Sequence, residues 1–161
     1  MAATGGTEPA FSTAAGATVT ALLAAIAAGD DRTPALAGDV SLAVMTTGEV
    51  TRGREAVLDL LAHLYRHAFA VTPNVRTVVA SAERAIVESE FTGRHVGEFA
   101  GIGPTGAPVR VPYAAAFDLT AGEITAIRLY LPLDLLVRQI RDRQPRPIRD
   151  EPPMAPPPHE R

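Results

Sequence analysis

Between Gly53 and Leu131 the spacing of apolar residues changes once, from the period of a helix to the period of a strand. A stripe of apolar residues with a polar opposite face predicts a long helix from Gly53 to Ala68. Beyond Pro73, apolar and polar residues alternate, and this predicts four strands, at Val75–Ser81, Ala85–His95, Val109–Leu119 and Ile124–Leu131. Helices followed by strands indicate an α+β fold with helices on one face of a curved, antiparallel or mixed sheet. A strongly bent sheet around helices forms a cone, so we expect an internal apolar pocket.

Further elements flank this pattern. Apolar residues at helical spacing predict a first helix that begins near Ser12 and ends at Gly29. Thr33 and Pro34 are typical of a helix start, which predicts a short second helix through Ala37. Alternation then predicts a strand over Val40–Val44, and a last helix is predicted over Leu133–Ile140.

The length and composition favour one domain. Of the 161 residues, 47% are hydrophobic, which is enough for one core and too little chain for two ordinary domains. We assign the domain to residues 12–143. Residues 1–11 are small and polar, and residues 144–161 hold seven of the fourteen prolines, so both ends are predicted to be disordered.

Charge and residue usage exclude several functions. The formal net charge is −3, so neither nucleic acid nor an anionic membrane is an expected partner. The chain has no cysteine, which excludes disulfides and thiolate metal sites. A basic leader and an apolar stretch long enough to span a bilayer are both missing, so we expect a cytoplasmic protein.

Two motifs resemble a metal site and a cofactor site, but each is better explained as an ordinary element of the fold. Glu55, Asp59, His63 and His67 follow one another at helical spacing, but the sequence indicates no further ligand, so we predict a solvated helix face and no metal. The segment 101–106 matches the dinucleotide pattern Gly-x-Gly-x-x-Gly. Pro108 and an alternating strand follow it instead of a helix, so we predict a turn and no cofactor.

Three segments resemble a known family. Residues 91–99 (Phe-Thr-Gly-Arg-His-Val-Gly-Glu-Phe) are similar to an aromatic-x-Gly-x-His-x-Gly-x-Phe motif, residues 101–111 to a Gly-Ile-x-Pro-Thr-Gly turn with its strand, and residues 122–130 to a closing strand. Together with the order of elements, they resemble the SnoaL-like polyketide cyclase relatives within the nuclear transport factor 2-like superfamily. The resemblance implies the cone fold. This fold carries isomerases, cyclases, epoxide hydrolases and binding proteins alike.

The resemblance implies a site at His95. The family's equivalent histidine borders the pocket, and a neutral imidazole can move a proton between carbon and oxygen atoms, as a ring closure or a double-bond shift requires. Tyr113, on the next strand, would polarise a carbonyl group. The alternative is that His95 only forms hydrogen bonds at the pocket rim. Glu98, three residues further on, could orient the ring.

The acidic groups of the family's enzymes are missing here. Ala115 occupies the position of the acid/base aspartate of the aldol cyclases, and Asp118 is predicted to lie on the opposite face of its strand. Leu129 replaces the central aspartate of the epoxide hydrolases' Arg-Asp-Tyr pattern. These departures make epoxide hydrolysis the less favoured reaction.

The outward face of the sheet is the predicted interface. With Phe91 inward, Glu88 and Glu90 point outward; in the reversed register Glu90 would be a buried candidate base. Arg128 and Tyr130 share the outward face, and the family's relatives pair through the sheet. We therefore expect a homodimer or a higher homo-oligomer.

Two functions follow. The first is cyclisation or isomerisation, without a cofactor, of an apolar polyketide-like or polycyclic intermediate, with His95 as acid/base. The second is a small-molecule-binding or scaffold protein without chemistry. The sequence favours a pocket over a reaction. The candidate ligand contacts are Phe91, Phe99, Phe117, Leu129, Leu131 and Tyr65.

Overall fold

The computed structural model describes residues 14–30 and 35–143, so the predictions for both chain ends lie outside the described residues. Within them, six strands form one open mixed sheet, accompanied by three α-helices and a π-helical segment. The elements are α1 Ala14–Ala28, β1 Leu36–Val44, β2 Glu49–Arg52, α2 Arg54–Ala62, the π-helix His63–Ala68, β3 Phe69–Ala80, β4 Arg84–His95, β5 Pro108–Thr120, β6 Glu123–Tyr130 and α3 Leu133–Arg141.

The strands lie in the order β2-β1-β6-β5-β4-β3. Only the β1–β6 pair is parallel, and the others are antiparallel. α1 contacts β3 and β4, and α2 contacts β1, so both helices cover the face of the sheet that carries its alternate apolar residues. The α+β cone fold predicted from the sequence is confirmed.

The prediction of a short second helix through Ala37 is wrong. Leu36 and Ala37 begin β1, which runs on to Val44, and Leu36 pairs with Ile124 of β6. Leu36 is almost fully buried there. Pairing with an inner strand of the sheet buries this segment, and that gain outweighs the local helix-start pattern. Thr33 and Pro34 lie outside the described residues.

Two strands differ from the prediction. β2, which pairs with β1 after the turn at Gly48, was not predicted because its residues are mostly exposed and show no alternation. β3 begins at Phe69 and runs through Pro73, where the prediction placed a break. Since β3 is the last strand of the sheet and pairs only with β4, a proline there removes no bond from a second neighbour.

The helix predicted from Gly53 to Ala68 has the right length and a different end. It is α-helical to Ala62 and π-helical from His63 to Ala68, after which the chain enters β3 directly. A π-helical segment is uncommon and often marks a functional site. Here it carries Tyr65 toward the core and Arg66 to the surface.

The last helix closes an open stretch of the sheet. β6 ends at Tyr130, so the first part of β5 has no neighbour on that side. The side-chain amide of Gln139, on α3, accepts a hydrogen bond from the backbone N–H of Arg110 (2.9 Å) and donates one to its carbonyl (3.0 Å). These two hydrogen bonds satisfy the backbone N–H and C=O of Arg110, which would otherwise be free to pair with another strand.

None of the helices in the described ranges is both long and apolar enough to span a bilayer.

Candidate functional site

A small closed cavity lies between α1, α2 and the sheet. It offers about 10 Å³ to the centres of water-sized molecules, which is about the minimum for one water. Every residue of its wall is buried. The wall consists of Leu22, Leu23, Ile26, Leu42, Leu61, Tyr65, Val87, Tyr113, Ala115, Phe117, Ile127 and Leu129.

The only polar side-chain groups among these residues are two tyrosine hydroxyls. Tyr65 donates a hydrogen bond to the hydroxyl oxygen of Tyr113, with an O–O distance of 2.8 Å. Burial raises the pKa of Tyr65 well above its usual value, and the neighbouring Tyr113 raises it further. The Tyr65 hydroxyl therefore stays protonated at neutral pH. Because each hydroxyl has one proton, this arrangement leaves the proton of Tyr113 free for an acceptor in the cavity.

Aromatic rings hold the pair in place. Phe91 packs edge-on against Tyr65, with 5.4 Å between ring centroids, and against Tyr113 at 6.4 Å. The two tyrosines come from the π-helix and from β5, 48 residues apart in the chain. The sequence identified each of them separately, Tyr65 as a candidate ligand contact and Tyr113 as the residue that would polarise a carbonyl group. Tyr65 is only 3% exposed.

Ser89 adds a further polar atom to this region. It lies directly across from Tyr113 in the β4–β5 pairing, and only 3% of it is exposed. Its Oγ has no hydrogen-bond partner within the described part of the chain. The sequence analysis placed Ser89 on the inward face and did not single it out, because a serine in an alternating strand carries no signal of its own.

His95 is fully buried at the far end of β4. The backbone N–H of Thr105 donates to its Nδ1 (3.2 Å), and the hydroxyl of Thr105 lies 3.0 Å from the same nitrogen. With Nδ1 as an acceptor, the ring proton belongs on Nε2, which has no hydrogen-bond partner in the described residues. Burial lowers the pKa of His95, against smaller opposing effects of the Gly97 backbone and the Glu98 carboxylate. The imidazole is therefore neutral at pH 7.

The structure does not bring His95 and Tyr113 together. His95 lies six residues along β4 from Ser89, the partner of Tyr113, which is about 20 Å along the strand. A row of aromatic rings fills the interval. Phe69 packs on His95 with 5.3 Å between centroids and on Phe91 with 5.4 Å. His95 is not part of the cavity wall.

The two glycines of the motif around His95 are required by close backbone contacts. A Cβ on Gly93 would collide with the carbonyl oxygen of Ala70, and a Cβ on Gly97 would collide with that of His67. The N–H groups of Val96 and Gly97 both donate to the carbonyl of Ala68, at 2.9 and 3.0 Å. The segment thus fastens the end of the π-helix and the start of β3 to the end of β4.

The six predicted ligand contacts divide into two groups. Phe117, Leu129 and Tyr65 belong to the cavity wall. Phe91 lies behind the tyrosine pair, Phe99 packs on Phe69 with 5.0 Å between centroids, and Leu131 is buried elsewhere in the core. As ligand contacts, all six stay predictions.

The predicted absence of an inward carboxylate agrees with the cavity. Among the described residues of its wall, none carries a carboxylate or an imidazole. Asp118 lies on the outward face, where Arg128 donates to both of its oxygens at 2.7 and 3.1 Å and holds its pKa below the usual range. Glu98 accepts a hydrogen bond from the N–H of Gly101.

The outward face of the sheet carries ion pairs. Phe91 is inward, so the reversed register is excluded, and Glu90 pairs with Arg76 and Arg110. These hydrogen bonds lower the pKa of Glu90. Tyr130 is 45% exposed on this face. The homodimer through this surface stays a prediction.

The metal and dinucleotide motifs behave as surface features. Glu55, Asp59, His63 and His67 are all exposed, and no three metal-binding side chains come together in the ranges that the structure describes. Residues 101–106 form an irregular turn that leads into β5, so no helix follows the glycines.

Comparison with known proteins identifies the family. The SnoaL-like domain matches residues 19–127, which is more than half of the chain. This protein belongs to the SnoaL-like family. No curated protein matches the sequence.

Solved structures share the fold of this SnoaL-like chain. A candidate SnoaL-like polyketide cyclase from Jannaschia sp. CCS1 has a TM-score of 0.72 at 21% identity, covering 79% of this chain and 91% of its own. A candidate polyketide cyclase from Xanthomonas campestris has a TM-score of 0.70 at 25% identity, covering 79% and 96%. An epoxide hydrolase of the LEH-like type from M. tuberculosis has a TM-score of 0.63 at 17% identity, covering 81% and 91%. The family and the fold implied by the sequence are confirmed.

Proposed function

We propose that this SnoaL-like protein binds a small, mainly apolar molecule that bears a carbonyl or similar acceptor oxygen. The observation that carries the proposal is the hydroxyl pair of Tyr65 and Tyr113, which is buried in an otherwise apolar wall. Apolar walls with a few placed polar groups are typical of small-molecule sites.

The chemistry of the pair selects the ligand. A donor in a site without water is worth more than the same donor at the surface, because no solvent competes for the acceptor. Tyr65 orients the Tyr113 hydroxyl by donating to its oxygen, so the proton of Tyr113 can point into the cavity. A carbonyl oxygen would accept it, whereas a hydrocarbon of the same shape would leave it unpaired.

We expect the protein to bind α-tetralone about fivefold more tightly than tetralin, since the two differ by one carbonyl group and a hydrogen bond contributes about 1 kcal/mol. Tyr113→Phe should abolish this preference. Isothermal titration calorimetry gives the affinities, and the infrared stretching frequency of the bound carbonyl reports the hydrogen bond directly.

Tyr130→Phe is the matched control, because Tyr130 is exposed on the outward face of the sheet. It should leave both affinities unchanged. Equal binding of ketone and hydrocarbon by the unaltered protein, or binding of neither, would contradict the proposal.

A second candidate function is cofactor-free cyclisation or isomerisation with His95 as acid/base. One observation favours it: the Nε2–H of the neutral His95 is buried without an acceptor among the described residues, so it is available to donate to a substrate oxygen. For His95 to act as a base, Nδ1 would first have to leave the N–H of Thr105. Similarity to a candidate polyketide cyclase from Xanthomonas campestris, at 25% identity, supports cyclisation as the class of reaction. The mechanism would require the substrate to reach past the aromatic row to His95.

Turnover and affinity of the variant His95→Gln distinguish the two functions. If His95 transfers the proton in the rate-limiting step, turnover of a polyketide-like substrate should fall by about 10² to 10⁴ while affinity changes little. If the protein only binds its ligand, the affinity for α-tetralone should stay the same, since His95 lies outside the cavity wall. Product analysis by mass spectrometry, run beside the binding measurement, gives both values.

A further inference from the structure

The cavity is buried and almost filled by its own wall as the structure stands. All its wall residues are buried, and the space holds about one water molecule. A ligand of the kind proposed above is larger, so some part of the wall must move to admit it. The question is which part moves at the lowest cost.

Three surface grooves in the described parts of the chain each share one residue with the cavity wall. The groove between α1 and α2 shares Ile26, a groove beside β3 shares Tyr65, and a groove on the outward face of the sheet shares Tyr113. These three residues are therefore the candidate partitions between the cavity and the surface.

Two of the partitions are held by polar contacts. Tyr65 and Tyr113 are hydrogen-bonded to each other, so moving either ring leaves a buried hydroxyl unpaired. On the β4 side of Tyr113, the backbone hydrogen bonds between β4 and β5 also close the sheet.

Ile26 has neither restraint. Its side chain is purely aliphatic and lies in the last turn of α1, which ends at Ala28 and is followed by Gly29 in a left-handed conformation (φ 69°). Rotating it breaks no hydrogen bond, and the ends of helices open more easily than their centres.

The groove outside Ile26 is large enough to receive a ligand. It has a volume of about 420 Å³, and the small side chains of Ala25 on α1 and Ala62 on α2 leave the space between the helices. Its other walls are Leu58, Gly29 and the charged residues Asp30, Glu55, Asp59 and Arg66. The apolar part of the lining, formed by Ala25, Leu58 and Ala62, adjoins Ile26.

We propose that the groove between α1 and α2 is the entrance to the cavity and that Ile26 is the side chain that opens it. This inference rests on the proposed binding function. Displacing Ile26 joins the cavity to the groove, so the size of ligand that the protein accepts depends on this one residue.

The test is the association rate of prodan, a fluorescent naphthyl ketone, measured by stopped flow. Prodan absorbs at longer wavelengths than tyrosine and tryptophan, so its emission is separated from that of the protein and of its tryptophan variants. Ala62→Trp fills the groove without altering the cavity wall, and it should slow association by at least about tenfold. Ala56→Trp is its control, because Ala56 is exposed on the same helix and is not part of the groove.

A second pair of variants acts on the partition itself. Ile26→Ala should raise both the association and the dissociation rate by about tenfold or more. Val19→Ala is the control, since Val19 is a buried aliphatic residue of the same helix that belongs to neither the cavity wall nor the groove. It should leave the association rate close to that of the unaltered protein.

The outcomes separate the two proposals. If the unaltered protein binds prodan and neither Ala62→Trp nor Ile26→Ala changes the association rate, the entrance lies elsewhere and this inference is wrong. If the unaltered protein binds no prodan, the proposed binding function fails first. Circular dichroism establishes that each variant is folded before its rate is compared.

Discussion

Replacing Gly93 or Gly97 by alanine should lower the free energy of unfolding by about 3 kcal/mol or more. At both positions the new Cβ would collide with a backbone carbonyl oxygen, of Ala70 for Gly93 and of His67 for Gly97. A side chain could rotate away, but these carbonyls belong to the π-helix and to β3, which pairs with β4 along its length. Urea denaturation measures the loss, and Tm should fall by about 10 °C.

Gly103→Ala is the matched control for both variants. Gly103 lies in the turn that follows the same motif, and a Cβ there would meet nothing within 4 Å. Its unfolding free energy should change by less than about 0.5 kcal/mol. If Gly93→Ala and Gly97→Ala behaved like this control, the contact between the π-helix and β4 would not be as close as the structure has it.

The tyrosine pair gives the second large effect. Tyr65→Phe and Tyr113→Phe should each destabilise the protein by roughly 1–3 kcal/mol, because each leaves one buried hydroxyl without its partner. The double variant removes both hydroxyls at once and leaves no polar group unpaired. The double variant should therefore be at least as stable as the less stable of the two single variants.

The coupling between the two sites is the quantity to measure. A double-mutant cycle in urea should give an interaction energy of about 1 kcal/mol or more, with Tyr130→Phe as an exposed control that changes little. Strictly additive losses would mean that the hydroxyls do not interact, and the ligand proposal would lose its basis as well. Both tyrosine variants keep the aromatic ring, so packing against Phe91 is preserved.

The period of the apolar residues was sufficient to predict most of the fold. Alternation placed β4, β5 and β6 within one or two residues of their observed limits, and it put Tyr113, Ala115 and Phe117 on the inward face. These strands bury one face only, so their sequence has to alternate. The period placed Ala115 and Leu129 on the inward face, and the resemblance to the family's enzymes identified them as the positions where an acid is missing.

Local patterns failed where a distant strand determined the outcome. Leu36 and Ala37 follow a helix-start signal, yet they form a strand because β6, nearly ninety residues later, offers a partner. Pro73 predicted a break, but β3 lies at the edge of the sheet and tolerates it. Neither the partner nor the edge position can be determined from the residues nearby.

The candidate site shows the same division between what the sequence predicts and what the tertiary structure determines. The sequence by itself determined which residue types are available: two tyrosines, one buried-strand histidine and no inward acid. Only the tertiary structure decided that Tyr65 meets Tyr113 across 48 residues, and that His95 lies behind the row of aromatic rings. Periodicity gives the face on which a side chain lies, but contacts between elements depend on how those elements pack, which no local spacing encodes.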